Sequence, residues 1–289
     1  MNSRRSITEG GIWDAAYKLN NYQIEYDCAR KDKNPVCAIY FSSSGIYYPN
    51  TEDELKKRIL EDDYYEWKNH RIKRASKHIF VRDVAKNFYV IGINTKINSI
   101  DLLIDFLKEE TLGYDIITIG SSGGAYMAAL SGILLEAKMA YCFSCFWSLN
   151  RINYDVWHLV GKYQDDSSRN KYYNLVPLIK RTKTKLVYVY PANNRDLINN
   201  DHIQCQLVNG IEQVVSIPIR TRHHGVCLNK YMLGEFINFT EWDKLSQLSS
   251  GKTKSEVELA KRLLSSRELI EMYLKLLHDK LVKNKKSKL

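Results

Sequence analysis

Short apolar runs recur along the middle of the chain and are separated by segments that can form helices. The runs that predict strands are 36–41, 87–94, 115–119, 138–145, 185–190 and 213–219. Near-continuous apolar strands that alternate with helices are typical of a mostly parallel sheet with helices on both faces. We therefore predict an α/β fold with six parallel strands, and an antiparallel edge strand within 22–30.

The segments between these runs predict helices, with one long exception. The predicted helices are 53–74, 99–112 with Ser99 as its N-cap, 125–137, 201–208 and most of the chain from Tyr231 onward. The exception, 146–184, has no regular pattern and comes after a strand end, where a lid would lie. It is rich in Trp, Tyr, Asn and Arg. These side chains are suited to binding a carbohydrate that accepts a transferred group, but they also occur in an ordinary polar lid.

A cluster of small residues lies where the strand 115–119 meets the helix 125–137. It reads Gly120-Ser121-Ser122-Gly123-Gly124, which matches G-x-S-x-G with Ser122 in the third position. That pattern is typical of a sharp strand-to-helix turn that exposes a nucleophilic serine. If Ser121 were the nucleophile, the position that has to be small would be Ile119, which is too bulky. We therefore predict Ser122 as the nucleophile. A purely structural turn is the alternative, and the phosphate-binding patterns GxxxxGK[ST] and GxGxxG are absent here.

A serine nucleophile requires a base and a carboxylate from later loops. His223 and His224 come after the strand 213–219, and we choose His224 because Gly225 permits a tight turn after it. Asp196 comes after the strand 185–190 and is our predicted acid. Asp201, predicted as the N-cap of the next helix, is the alternative.

The oxyanion hole should use the amide directly after the nucleophile and one from the loop after the first core strand. The first is the amide of Gly123. For the second, the loop reading FSSSG offers Ser43 or Ser44, which the sequence does not rank.

The order Ser122, Asp196, His224, each after a successive strand, resembles that of the α/β-hydrolase fold family over residues 36–229. The stretches IGSSGGAYMA and HHGVC also resemble smaller α/β-hydrolase-like proteins encoded in bacterial capsule and surface-polysaccharide gene clusters. Some of those are polysaccharide O-acetyltransferases with a serine triad. This resemblance implies acyl transfer to a saccharide or polysaccharide through an acyl-Ser122 intermediate. It implies acetyl-CoA as the donor and no permanently bound cofactor.

Two other functions stay open at this point. The same triad would serve an esterase, in which water takes the place of the sugar hydroxyl. A non-catalytic, membrane-associated scaffold in polysaccharide assembly is the third option, because the acid residue is ambiguous and the sequence ends in a basic segment.

Charge is concentrated at the end of the sequence. Residues 252–289 contain 11 Lys or Arg and 5 Asp or Glu, more than half of the net charge of +10. Apolar residues recur there on one helical face, namely Leu263, Ile270, Leu274, Leu277 and Leu281. Basic residues occupy the other face, namely Lys261, Arg262, Arg267, Lys275 and Lys280. Such a helix can bind an anionic membrane surface or pack on the domain, and we expect no nucleic-acid partner.

The resemblance implies an α/β-hydrolase-like catalytic domain over 1–250, with a lid at about 146–184, and the basic amphipathic pattern predicts a helical extension over 251–289. The first residues lack the apolar core of a signal peptide. The most apolar region, 125–143, is interrupted by Glu136 and Lys138, so we expect a cytoplasmic protein, either free or peripheral at the inner face of the membrane. Cys142 and Cys145 should be buried free thiols that face opposite ways, with no metal site.

Overall fold

A seven-stranded sheet forms the centre of the protein in a computed structural model that describes residues 6–27, 34–249 and 252–286, with side chains up to residue 279. The strands are β1 (Tyr22–Tyr26), β2 (Val36–Phe41), β3 (Lys77–Val81), β4 (Asp115–Ser121), β5 (Met139–Phe143), β6 (Lys185–Pro191) and β7 (Val214–Ile219). Their order across the sheet is β1-β3-β2-β4-β5-β6-β7. Only β1 at the edge is antiparallel to its neighbour.

Helices flank the sheet and connect its strands. They are α1 (Gly11–Lys18), α2 (Glu52–Leu55), α3 (Ile100–Glu110), α4 (Gly123–Leu134), α5 (His158–Lys162), α6 (Ser167–Asn170), α7 (Val176–Ile179), α8 (Asp201–Leu207), α9 (Lys230–Phe236), α10 (Trp242–Leu248), α11 (Glu256–Leu263) and α12 (Ser266–Lys286). A π-helical turn, Lys56–Glu61, extends α2, and a 3-10 turn covers Leu149–Arg151. Ser99 caps α3 as predicted, because its side chain accepts the amide of Leu102.

Two apolar layers hold the helices to the sheet. Leu103 and Leu107 of α3 and the buried side of α4 pack on one face. Helices α9 to α12 pack on the other face, through side chains that include Phe236 and Met272. The predicted fold class is therefore confirmed: a mostly parallel sheet of more than six strands lies between helices.

One predicted strand is wrong and a different segment takes its place. Residues 87–94 contain no strand, and the sixth parallel strand is β3, all five of whose residues are buried. The sequence hides β3 because it opens with two polar residues. In the fold, Lys77 donates to the Glu110 carboxylate at 2.7 Å and His78 lies 2.9 Å from the Tyr40 hydroxyl, so burying them leaves hydrogen-bonding groups paired.

The segment that was predicted as this strand is a loop organised around the buried Asp83. Its carboxylate accepts the amides of Lys86, Asn87 and Tyr89 at 2.9–3.0 Å. Burial raises the pKa of Asp83 to about 6. Amides that bind one carboxylate cannot also pair with a neighbouring strand, which explains why an apolar run stays out of the sheet.

The predicted helix 53–74 is also wrong beyond its first half. The helical backbone ends at Glu61, and the chain continues through turns. Tyr65 and Trp67 of that continuation are buried in the apolar layer, and the Trp67 indole donates to the carbonyl of Phe41 at 3.0 Å. Burial of these two rings therefore overrides a charge pattern that favoured a surface helix.

The thiols of Cys142 and Cys145 are buried and free, but they do not face opposite ways. Strand β5 ends at Phe143, and Ser144 adopts a positive φ of 49° that turns the chain back. Both cysteines consequently join the same apolar layer. Within the described ranges, no three His, Cys, Asp or Glu side chains are grouped as metal ligands would be.

The division of the chain at 250/251 stays a prediction, since both of those residues lie outside the described ranges. The segment from residue 252 onward is attached to the sheet: Lys254 forms a parallel bridge to Ile219, and Leu259 and Ala260 are buried. In the portion of the chain that the structure covers, every helix is too short or too polar to cross a bilayer.

Candidate active site

The carboxyl ends of the six parallel strands place the loops that follow them along one edge of the sheet. Phe41 at the end of β2 pairs with Gly120, Ser121 at the end of β4 pairs with Phe143, and Pro191 at the end of β6 pairs with Ile219. The loops that leave these positions carry all the residues that the sequence nominated for catalysis. The register alone therefore brings them to a common edge.

Ser122 occupies the corner between β4 and α4 in a strained backbone conformation. Its φ is 55° and its ψ is −121°, a combination that costs energy for a residue with a Cβ. The corner is tight on both sides. A Cβ on Gly120 would lie 2.0 Å from the Gly124 carbonyl oxygen, and one on Gly124 would lie 2.4 Å from the Phe41 carbonyl oxygen. The two outer glycines of the G-x-S-x-G pattern are therefore required by close backbone approach.

His224 lies between Ser122 and a carboxylate. Its Nε2 is 2.9 Å from Ser122 Oγ, and its Nδ1 is 2.8 Å from Asp201 Oδ2. A carboxylate accepts hydrogen bonds, so Nδ1 carries the ring proton and Nε2 is free to accept from the serine hydroxyl. The geometry selects His224 over His223, whose side chain is exposed and whose amide bonds the Thr221 hydroxyl.

The acid in contact with the imidazole is Asp201, so the prediction of Asp196 is wrong. Asp196 uses both carboxylate oxygens within its own loop, for the amide of Ile198 at 2.8 Å and the side chain of Asn199 at 3.0 Å. The Asp201 side chain is 1% exposed and also accepts from Asn194 Nδ2 at 2.7 Å.

Asp201 is free to reach the histidine because it is not the N-cap of α8. The cap position falls on Asn200, whose left-handed φ of 52° gives the helix no side-chain cap. Asp201 is thus the first helical residue, and its side chain turns toward the imidazole instead of toward the amides of its own helix. The sequence predicted the N-cap of α8 to within one residue, but it carried no signal for the direction of the Asp201 side chain.

A serine that the sequence analysis missed holds the histidine loop. Ser144 Oγ donates to the carbonyl oxygen of Gly225 at 2.8 Å and accepts the Gly225 amide at 3.0 Å. Gly225 has a φ of 106°, which a residue with a Cβ would rarely adopt. Ser144, which directly follows β5, thus fixes the turn after His224. The only signal for Ser144 in the sequence is that it is a polar residue in the run 138–145.

The structure separates the two predicted oxyanion serines. The Ser43 amide donates to Glu66 Oε2 at 2.7 Å and the Ser43 hydroxyl to Glu66 Oε1 at 2.8 Å, so this amide is already used and the Ser43 alternative is wrong. Burial raises the pKa of Glu66. Ser44 stays a candidate because its Oγ lies 2.7 Å from where a Cβ on Gly123 would be.

Gly123 and Ser44 lie next to each other here, and among the described residues neither backbone amide is used by a protein acceptor. Gly123 is the first residue of α4, where a backbone N–H has no partner within the helix. In the described portion of the chain, the Ser44 amide donates to no protein acceptor. Gly123 and Ser44 are therefore the pair that can stabilise negative charge on a carbonyl oxygen next to Ser122.

An aromatic wall, formed by Phe88, Phe146 and Trp157, lies beside these groups. A ring carbon of Phe88 is 3.6 Å from the Cβ position of Gly123, and the Phe146 ring centroid is 5.6 Å from that of His224. Trp157 packs edge-on against Phe88 at 5.0 Å. Its indole N–H is buried and has no acceptor among the described residues. Two of the three rings come from the predicted lid 146–184.

The comparisons with known proteins identify no relative by sequence. No family model matches the chain, and no curated protein matches it either.

Solved structures are similar to the chain only at TM-scores below 0.5. An S-formylglutathione hydrolase from Agrobacterium tumefaciens has a TM-score of 0.48 and 10% identity, over 79% of this chain and 88% of that one. A Staphylococcus aureus protein of unknown function has the same TM-score and identity, over 79% and 94%. A lipase-esterase related protein from Clostridium acetobutylicum has a TM-score of 0.43 and 14% identity, over 71% and 92%. Similarities this low assign no activity, so the function has to be derived from the geometry around Ser122.

Proposed function

We propose that the protein is a serine-dependent acyl-transfer enzyme, with Ser122 as nucleophile, His224 as general base and Asp201 as the carboxylate that orients it. The observation that carries this proposal is the unbroken chain of hydrogen bonds from Ser122 Oγ through both ring nitrogens of His224 to Asp201. Nucleophile, base and orienting acid in hydrogen-bond contact are the arrangement that acyl transfer requires.

Each step of the reaction has a group in place. Ser122 Oγ attacks the carbonyl carbon of the donor while His224 Nε2 takes its proton. The amides of Gly123 and Ser44 stabilise the oxyanion, and the imidazolium then gives the proton to the leaving group, which departs from acyl-Ser122. An acceptor hydroxyl next loses its proton to His224 and attacks the acyl carbon. The bond from the acyl carbon to Ser122 Oγ then breaks, and the imidazolium returns the proton to Ser122 Oγ.

For the substrates, we propose acetyl transfer from acetyl-CoA to a hydroxyl group of a bacterial surface (capsular) polysaccharide. Two observations support a transferase. Ser122 is 8% exposed, and the aromatic wall covers the oxyanion side, so the acyl-enzyme would be partly shielded from water. The wall also contributes the unpaired indole N–H of Trp157, which can donate to an oxygen of a bound substrate.

Hydrolysis of a carbohydrate or small-molecule ester is the second candidate. It is favoured by the His224 side chain, which is 15% exposed and so can be reached by water. A non-catalytic scaffold loses one of the two features that motivated it, the ambiguous acid, because Asp201 supplies the carboxylate that Asp196 does not.

The triad is tested by labelling with a fluorophosphonate probe, which reacts with an activated serine. We expect the wild-type protein to be labelled and Ser122→Ala to be unlabelled. Ser121→Ala, which removes the neighbouring hydroxyl, should still be labelled. An unlabelled wild-type protein, or labelling that persists in Ser122→Ala, would contradict the proposal.

Transfer and hydrolysis are separated by the acceptor dependence of the active enzyme that has not been treated with the probe. Release of CoA from acetyl-CoA only in the presence of a capsule polymer would support the transferase. Rapid cleavage of nitrophenyl acetate, unaffected by added polymer, would support the esterase and refute the transferase.

A further inference from the structure

Helix α12 has an apolar side that the rest of the protein leaves uncovered. Its inward face is anchored by the buried Met272 and the partly buried Tyr273. Ile270, Leu274 and Leu277, which we call the α12 stripe, lie on another side and are 56–60% exposed. Steps of four and three residues align them along one flank of the helix. A contiguous apolar stripe on a helix surface indicates a binding surface rather than scattered exposed residues.

The charges around the α12 stripe are unequal along the helix. Acidic side chains in its first part are paired, Glu271 with Arg267 at 3.0 Å and Asp279 with Lys230 at 2.8 Å. The sequence beyond Asp279 contains five lysines and no acidic residue within its last ten positions. The apolar stripe therefore runs toward a strongly basic end.

Asp279, which precedes these lysines, is attached to the segment that follows His224. Asp279 accepts hydrogen bonds from Lys230 and from the Tyr231 hydroxyl, at 2.8 and 3.0 Å. Both partners belong to the first turn of α9, which starts six residues after His224 in the loop that leaves the carboxyl edge of the sheet. The end of α12 that leads to the lysines is therefore held against the start of α9.

We propose that α12 docks the protein on the surface of an anionic lipid bilayer, with the α12 stripe inserted among the acyl chains and the terminal lysines at the headgroups. An apolar stripe beside clustered lysines is the composition of helices that lie in a membrane interface. Lysines near such a surface are attracted by the negative charge of its lipids. An anionic bilayer is favoured over a second copy of this chain because a second copy would add further lysines and supply no anionic partner for them, whereas anionic lipid supplies one. The proposal is independent of the triad.

The docking is tested by sedimenting the full-length protein with vesicles of phosphatidylcholine alone or with 30% phosphatidylglycerol. Leu274→Ser/Leu277→Ser removes two members of the stripe. Leu102→Ser/Leu112→Ser is the matched control, since these leucines are also exposed but lie on α3 and after it. All four side chains face solvent, so neither variant should unfold, and thermal melting checks this.

We expect the wild-type protein to bind the anionic vesicles at least tenfold more strongly than the neutral ones. Binding should fall about tenfold in the stripe variant and less than twofold in the control. Lys283→Glu/Lys285→Glu/Lys286→Glu should lose the preference for anionic lipid, and 500 mM salt should weaken wild-type binding.

Three results would overturn the proposal. One is equal wild-type binding to both vesicle types, and another is undiminished binding by the stripe variant. The third is a wild-type dimer that the stripe variant converts to monomer while neither protein binds vesicles, because the stripe would then be a contact between copies.

Discussion

The two loops that flank Ser122 are held in place by polar side chains from distant parts of the sequence, but in different ways. On the histidine side, Asp201 contacts the imidazole itself, and Ser144 fixes the turn at Gly225. On the oxyanion side, Glu66 binds the amide and hydroxyl of Ser43, one residue before the Ser44 amide that would face the substrate.

This difference separates a chemical role from a positional one. Asp201 is in direct contact with the imidazole that we propose as the general base, so its loss should change the tautomer of that ring. Glu66 touches no reacting atom and acts through the backbone of Ser43. Replacing His224 or Asp201, which belong to the hydrogen-bond chain, should therefore reduce the rate more than replacing a residue such as Glu66 or Ser144 that only positions a loop.

The largest effect is expected from His224 itself. Replacement by Ala removes the base, and kcat/KM for nitrophenyl acetate should fall at least about 10³-fold. His223→Ala is the matched control and should stay within about threefold of wild type, since His223 is exposed and lies outside the hydrogen-bond chain. Equal losses of kcat/KM in the two variants would show that the His224 imidazole, whose Nε2 contacts Ser122 Oγ, is not the base.

Glu66→Ala should lower kcat by about 10- to 100-fold with little change in KM, because the Ser43–Ser44 turn would lose its anchor and shift the oxyanion donor. Glu66→Gln should recover much of this loss, since its amide oxygen can still accept the Ser43 amide. Steady-state kinetics measure both variants. A rise in KM with kcat unchanged, or no recovery of kcat in Glu66→Gln, would contradict the role of Glu66 as a positioning residue.

Ser144→Ala leaves both backbone groups of Gly225 without their partner, and the histidine turn should become less ordered. We expect kcat/KM to fall about tenfold, as the loss of roughly 1.4 kcal/mol of hydrogen bonding predicts. Fluorophosphonate labelling should slow by a similar factor. If thermal stability falls while both rates stay unchanged, Ser144 supports the fold and not the site.

The smallest effect concerns Trp157, which joins the two sides by packing against Phe88 and Phe146. Trp157→Phe should create space and raise activity on nitrophenyl butyrate relative to acetate by several-fold. A series of nitrophenyl esters measures this ratio. An unchanged ratio would place the aromatic wall outside the acyl-binding region.

The sequence predicted those parts of the site that depend on local backbone geometry. Gly120 and Gly124 indicate that two backbone segments approach too closely for a side chain. The strand-turn-helix setting is evident from the apolar pattern. His224 was predicted from its place after the strand 213–219 and from Gly225, which permits a tight turn after it. The parallel sheet was predicted because buried strands carry continuous apolar runs.

The parts that the sequence did not predict depend on contacts between distant segments. Glu66 lies in a stretch whose charges favoured a helix, and only burial of Trp67 brings that stretch under the β2 loop. Asp201 and Asp196 are five residues apart with the same chemistry, and the left-handed backbone of Asn200 decides between them. Strand β3 was hidden by Lys77 and His78, whose partners lie elsewhere in the chain.

The most direct test of the Ser122–His224–Asp201 chain is the second-order rate constant for fluorophosphonate labelling of Asp201→Asn and Asp196→Asn at neutral pH. We expect Asp201→Asn to slow labelling at least about 10²-fold, because an amide at this position no longer holds His224 in the tautomer that accepts the serine proton. Asp196→Asn should be labelled at the wild-type rate. Slow labelling of Asp196→Asn together with fast labelling of Asp201→Asn would contradict the assignment.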